Sequence, residues 1–108
     1  MSEQLFQLVF NRLSRAKQIE PKFIGKFHGV EALPKGDYPP IYYWVDMQLG
    51  GSVRLSFNTP LLMDMCSEEA QHAGIQPDER TSKQAVAFLE NICTGAFQRT
   101  INQMQMMK

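Results

Sequence analysis

The stretch Ile41-Tyr-Tyr-Trp-Val-Asp-Met-Gln-Leu-Gly-Gly-Ser-Val-Arg-Leu-Ser-Phe57 leaves this chain few ways to fold, because two alternating runs stand either side of a glycine pair. In the first run Ile41, Tyr43, Val45, Met47 and Leu49 alternate with Tyr42, Trp44, Asp46 and Gln48; in the second, Val53, Leu55 and Phe57 fall on one side. The pattern predicts a β-hairpin, and its parity restricts the turn. A two-residue Gly50-Gly51 loop would set Met47 opposite Arg54 and Val45 opposite Ser56, sending the two apolar sets to opposite faces. A three-residue loop, a type I turn closed by a glycine bulge, returns both sets to one face. The expectation is therefore a bulged turn that uses both glycines. It leaves Tyr42, Trp44 and Arg54, with Asp46 and Ser56, on the other face of the sheet. Two aromatic side chains there need cover from a second layer, a long loop or a partner subunit, which makes Tyr42, Trp44 and Arg54 a candidate dimer face.

The flanking segments supply the remaining elements. Leu5, Phe6, Val9, Phe10, Leu13 and Ala16 recur at helical spacing, so a helix is expected from Ser2, as cap, to about Gln18. Residues 22–30 are short, aromatic and interrupted by Gly25 and Gly29, which predicts a strand with a bend or bulge. Residues 33–40 concentrate turn formers and end in paired prolines, so they form a loop. Thr59-Pro60 predicts a helix start and Gly74 its stop. A last helix is expected from Thr81 or Ser82 past Thr100, extending towards the methionine-rich end at Lys108. A chain of 108 residues holds one core of modest depth, so a single domain spanning 1–108 is expected. Its fold class is α+β, in the order helix, strand, strand, strand, helix, helix, with a three-stranded antiparallel sheet packed on the first and last helices. Such a sheet has two open edges and an aromatic outer face, and self-association as a homodimer would cover them.

Composition narrows the chemistry. Eleven basic residues balance eleven acidic ones, so no long-range field favours nucleic acid, and the cluster Arg12, Arg15, Lys17, Lys22 and Lys26 reads as a solvated helix end. No apolar run approaches the ~18 residues of a membrane helix, and the polar start has no secretory pattern, so neither a membrane nor export is expected and the location reads as cytoplasmic. Cys66 and Cys93 sit within apolar helical patterns and are expected as buried free thiols. No phosphate loop, dinucleotide fingerprint or metal-spaced cysteine pair is present, and His28 and His72 read as structural or solvated. No catalytic residue, metal or cofactor is assigned.

The last helix holds the one irregular surface. Val86, Leu89, Cys93, Ala96, Phe97, Thr100, Ile101 and Met104 form an apolar stripe at about 100° per residue, expected to face the sheet. Gln84, Phe88, Asn91, Gly95 and Gln98 fall roughly opposite, a candidate partner face that is neither charged nor regular. With Gly51-Ser-Val-Arg-Leu-Ser-Phe57 and Asn91-Ile-Cys-Thr-Gly95 in this order, the chain resembles the bacterial chemotaxis phosphatase family of CheC and CheX, in a shortened form. The resemblance implies a partner of the response-regulator class and a water-orienting asparagine, matched by Asn91. It also implies a glutamate three residues earlier, and that position is Phe88, while Glu90 projects roughly a quarter-turn away. The position four before the missing glutamate is Gln84. The expectation is a non-enzymatic protein-interaction or regulatory domain, with a diverged phosphatase acting on phosphorylated response regulators as the alternative. An aromatic side chain beside a bare glycine forms a groove for another helix.

Overall fold

The computed structural model describes residues 1–106. Met107 and Lys108, the end of the expected methionine-rich extension, lie outside the described residues. Helix α1 (Ser2–Arg15) leads into strands β1 (Lys22–Phe27), β2 (Ile41–Asp46) and β3 (Ser52–Phe57), followed by helices α2 (Thr59–His72) and α3 (Glu79–Met106). The class is α+β in the expected order, and the sheet runs β1-β2-β3 with β2 central.

The sheet is mixed, not antiparallel throughout: β2 and β3 are antiparallel, but β1 lies parallel to β2. Thirteen residues, 28–40, separate β1 from β2. That length carries the chain back to the end of the sheet where β1 began, as a parallel pair requires, whereas a tight hairpin would have made the pair antiparallel. The expected bulge in β1 is present. Register against β2 shifts by one between Phe23 and Lys26, at Gly25, whose φ of 136° suits glycine. The shift puts Phe23 beside Tyr43 on one face and Phe27 opposite Asp46, on the other.

The hairpin keeps the expected parity with a different turn. Ile41 pairs with Phe57, Tyr43 with Leu55 and Val45 with Val53, so the two apolar sets do share a face. Strand β2 stops at Asp46, however, and residues 47–51 form a five-residue connection: a 3₁₀ turn over Met47–Leu49, then Gly50 and Gly51 at φ 69° and 85°. The Asp46 carboxylate explains the early stop. It accepts a hydrogen bond from the Gln48 backbone N–H at 3.0 Å, capping the 3₁₀ turn, so Met47 and Leu49 leave the sheet and are exposed.

Helix ends differ from expectation by one to three residues, α1 stopping at Arg15 and not near Gln18. Met1, not Ser2, occupies the cap of α1, freeing the Ser2 hydroxyl to donate to Gln84 Oε1 at 2.7 Å. Asn58 caps α2 by accepting from Leu61 N–H, ahead of Thr59-Pro60. Asp78 holds the first turn of α3 through the Arg80 N–H and the Thr81 hydroxyl. The three helices pack on one another and on one face of the sheet. Leu5, Val9 and Leu13 of α1, Leu62, Met65, Cys66 and Ala70 of α2, and Ala85, Val86, Leu89 and Cys93 of α3 close over Ile41, with Leu55 and Phe57 at the margin. Between α1 and α2, Arg12 reaches Glu68 at 2.7 Å and Glu69 at 3.5 Å, taking one member of the basic cluster into an ion pair.

The opposite face of the sheet is covered by the chain itself. Tyr42 and Trp44 are buried, Trp44 to 2 % exposure, so of the covers expected for them it is the long loop that is found, and their reading as a dimer face is corrected to a second, small core. The crossover supplies the cover: Tyr38 stacks on Tyr42 with ring centroids 4.7 Å apart, and the Gly29 N–H donates to Asp46 Oδ1 at 3.1 Å. Asn58 fastens its far end, donating its backbone N–H to Pro40 O and its side-chain amide to Tyr38 O, both at 2.9 Å. Trp44 Nε1 donates across the sheet to Ser56 Oγ at 3.2 Å, so the indole is satisfied within the chain. Only Arg54 of that set remains exposed.

Asp46 thus ties the hairpin turn to the crossover through one buried carboxylate. Replacing it, Asp46→Ala, strands the Gly29 N–H in a buried site and releases the turn, and should lower the unfolding free energy by about 2 to 3 kcal/mol. Urea denaturation checks this as a reduced midpoint with little change in slope.

Candidate functional site

The face opposite the α3 stripe is where the sequence places its irregular residues. Gln84, Phe88, Asn91 and Gln98 are exposed and Gly95 is half-buried. Three of the five come together in a surface cleft. Gln84, Phe88 and Asn91 join Ala87 and Ile92 of α3 with Ser2 and Glu3 of α1 around a hollow of about 530 Å³. Gly95 and Gln98 lie further along the helix and outside it. Gln98 donates to Asn102 Oδ1 at 3.0 Å, and the Arg99 guanidinium folds back over Gly95, 3.5 Å from where a Cβ would stand.

Phe88 is half-covered by its own chain. Its ring lies 5.7 Å from Phe6 of α1, and Phe6 lies 5.7 Å from Phe10, giving a row of three tilted rings along the α1–α3 seam. Even so, 47 % of Phe88 and 42 % of the adjacent Ile92 face solvent. Ile92 was not among the sequence candidates. Its spacing of four from Phe88 puts the two on one helix edge, and that spacing was the available signal.

The stripe expected to face the sheet is buried only along its first half. Val86, Leu89 and Cys93 are buried in the core, but beyond Cys93 no described residue of α3 is buried. Ala96, Phe97, Thr100, Ile101 and Met104 instead form one wall of an open apolar groove of about 680 Å³. Phe10, Ile19 and Pro21 form the facing wall, and Tyr43 and Val53 its floor. The Phe97 ring meets Tyr43 at 5.5 Å, and Tyr43 meets the exposed Phe23 at 5.4 Å, so the groove runs out over β1. Ile92 borders both hollows, which makes cleft and groove one apolar tract interrupted by a single ridge.

The chemistry of this tract is that of contact. Its polar members beside Asn91 are amides and hydroxyls, with Glu3 at one end and Glu20 at the other. Glu90, the acid nearest Asn91 in sequence, turns towards the start of α2, where it accepts from the Thr59 hydroxyl at 3.4 Å. Asn91 is left with Phe88 and Gly95 as its neighbours along the helix edge. Among the described residues no group of three or more His, Cys, Asp or Glu side chains is arranged to hold a metal ion. No helix among them is long and apolar enough to cross a membrane. No family model, curated protein or solved structure matches the chain.

Both cysteines are buried free thiols in the helical core. Burial pushes the Cys66 thiol up to about 11 from its ordinary 9.0, and raises that of Cys93 for the same reason. The native thiol keeps its proton where the unfolded one loses it. Stability linked to Cys66 is therefore fully present below pH 9 and is lost as the pH rises through about 11. At pH 8 a thiol–disulfide reagent should modify Cys66 at least about tenfold more slowly in the native than in the urea-unfolded chain, because burial both holds the proton and bars the reagent, and a colorimetric thiol titration of the Cys93→Ala chain measures the ratio.

Proposed function

We propose that this chain is a non-enzymatic protein-interaction or regulatory domain that works as a homodimer and offers the α1–α3 cleft, centred on Phe88, to a second protein. The half-exposed Phe88 ring beside Ile92 is the observation that supports this reading. Apolar side chains scattered singly over a surface are ordinary, but two adjacent large ones in a hollow rimmed by Gln84 and Asn91 have the make-up of a binding site's centre and edge. A helix or a loop carrying one large apolar side chain fits a hollow of this size, lodging against Phe88 while the amides on the rim pair with its backbone. The motif residues Asn91 and Gly95, together with the run from Gly51 to Phe57, point to the response-regulator class as the partner of a shortened CheX-like domain. Phe88 in place of an acid makes that contact one of docking without hydrolysis.

Affinity capture with the wild-type chain and with Phe88→Glu, compared by mass spectrometry, should yield a protein retained by the first and lost by the second. The substitution should lower the unfolding free energy by about 1 to 2 kcal/mol, because it removes a half-covered ring and its tilted pairing with Phe6 and leaves the buried core untouched. Identical capture by both proteins, or faster loss of phosphate from a phosphorylated response regulator when the chain is added, would overturn the reading.

A further inference from the structure

The proposed homodimer has no location until something is found that fits the groove, and the second half of α3 supplies it. Thirteen residues, from Thr94 to Met106, run past the last buried position of the helix, a length of about 20 Å. Met104 is 59 % exposed and Met106 85 %. A helix segment this short is marginal in water without packing on its apolar side, and here that side borders an open groove. Segment and groove are each incomplete, and they lie side by side.

We infer that two copies of this chain exchange these parts: the projecting half of α3 from each copy lies antiparallel in the other's groove, about a two-fold axis near Gln98. Charge identifies the occupant as a second copy. The groove has one charged lining residue, the acid Glu20, and the segment from Thr94 to Met106 has one charged residue, the base Arg99. Among the described residues Arg99 enters no ion pair. The contacts Ser2–Gln84 and Phe6–Phe88 show that α1 and α3 run in the same direction side by side, which brings Glu20, just beyond α1, alongside the projecting half of α3. An axis near Gln98 then sets the partner's Arg99 against Glu20, and by symmetry Arg99 against the partner's Glu20. The same axis places exposed Ile92 opposite the partner's Met104. Ala96 stands near the crossing point, where a small side chain lets two helices approach closely. Because the patch is self-complementary, the contact closes as a dimer and does not propagate.

This inference rests on the homodimer in the reading above and adds where it forms. Sedimentation equilibrium of the full chain should report twice the 12.4 kDa chain mass at micromolar concentration. Arg99→Glu and Glu20→Arg should each weaken the dimer at least about tenfold, since each sets like charges face to face twice. An equimolar mixture of the two variants should regain the wild-type dimer constant, because both cross-contacts then pair opposite charges, and so should the chain carrying both changes. Circular dichroism verifies that each variant is folded. A monomeric wild type would overturn both this inference and the dimer in the functional reading. Variants that dimerise as tightly as wild type, or fail to rescue each other on mixing, would overturn this inference alone. So would loss of the dimer with Phe88→Glu and not with Arg99→Glu, which would move the dimer to the cleft.

Discussion

The central strand β2 is packed on both faces, and the rest of the molecule follows from how two different materials cover it. On one side Ile41 enters a core made by three helices; on the other, Tyr42, Trp44 and Asp46 lie under a single loop. A loop is a poor cover for a sheet, since its own backbone groups need partners wherever water is excluded. Here the partners are named: the Asp46 carboxylate for Gly29, the Asn58 side chain for Tyr38, and the Asn58 backbone for Pro40. The paired prolines restrict the loop's freedom before folding, which reduces the entropy lost on pinning it, and the Tyr38–Tyr42 stack then holds it in the folded state. The parallel β1–β2 pair is a consequence, because a connection that must cross the sheet face returns the chain to the end where it started.

That solution places all three helices on the same side, and three helices are more than a three-stranded sheet can cover evenly. Helix α3 is twenty-eight residues long, α1 and α2 only fourteen each. The two shorter helices bury the first half of α3 and then end. Beyond that point the apolar stripe continues in the sequence with no helix left to pack on, and the groove is the space where one would have been. The surface apolar tract is thus a direct result of unequal helix lengths, and it meets the core at Cys93.

The electrostatics of this tract are as sparse as its chemistry. Charges gather elsewhere, in the Arg12–Glu68–Glu69 group between α1 and α2 and the Glu79–Lys83 pair at the start of α3. Exposed ion pairs of this kind contribute at most about 1 kcal/mol each. They leave the groove with a single acid and the helix end with a single base, so that the few charges present act on orientation more than on affinity. The buried thiols fit the same division, with Cys93 closing the inner end of the groove as a small apolar side chain that holds its proton.

Much of this was legible in the residues. Period-two alternation fixed which side chains of β2 and β3 share a face, and it did so even though the turn proved to be five residues long, because lengthening the loop by an even number preserves parity. The bulge at Gly25, the two thiols within helical stripes and the position of Phe88 opposite the buried edge of α3 were equally local, set by backbone geometry that a single segment carries with it. The direction of β1, which of the possible covers lies over Trp44, and the open second half of α3 were not, each depending on something distant in sequence: the length of a crossover, a loop held by the Gly29–Asp46 and Asn58–Tyr38 hydrogen bonds, and the point at which α1 and α2 stop. The early end of β2 is local, set by Asp46 accepting from the Gln48 N–H, and alternation is blind to it. Periodicity says which face of an element is apolar. Only the tertiary structure decides whether anything remains to cover it, since burial is a property of what arrives on the other side.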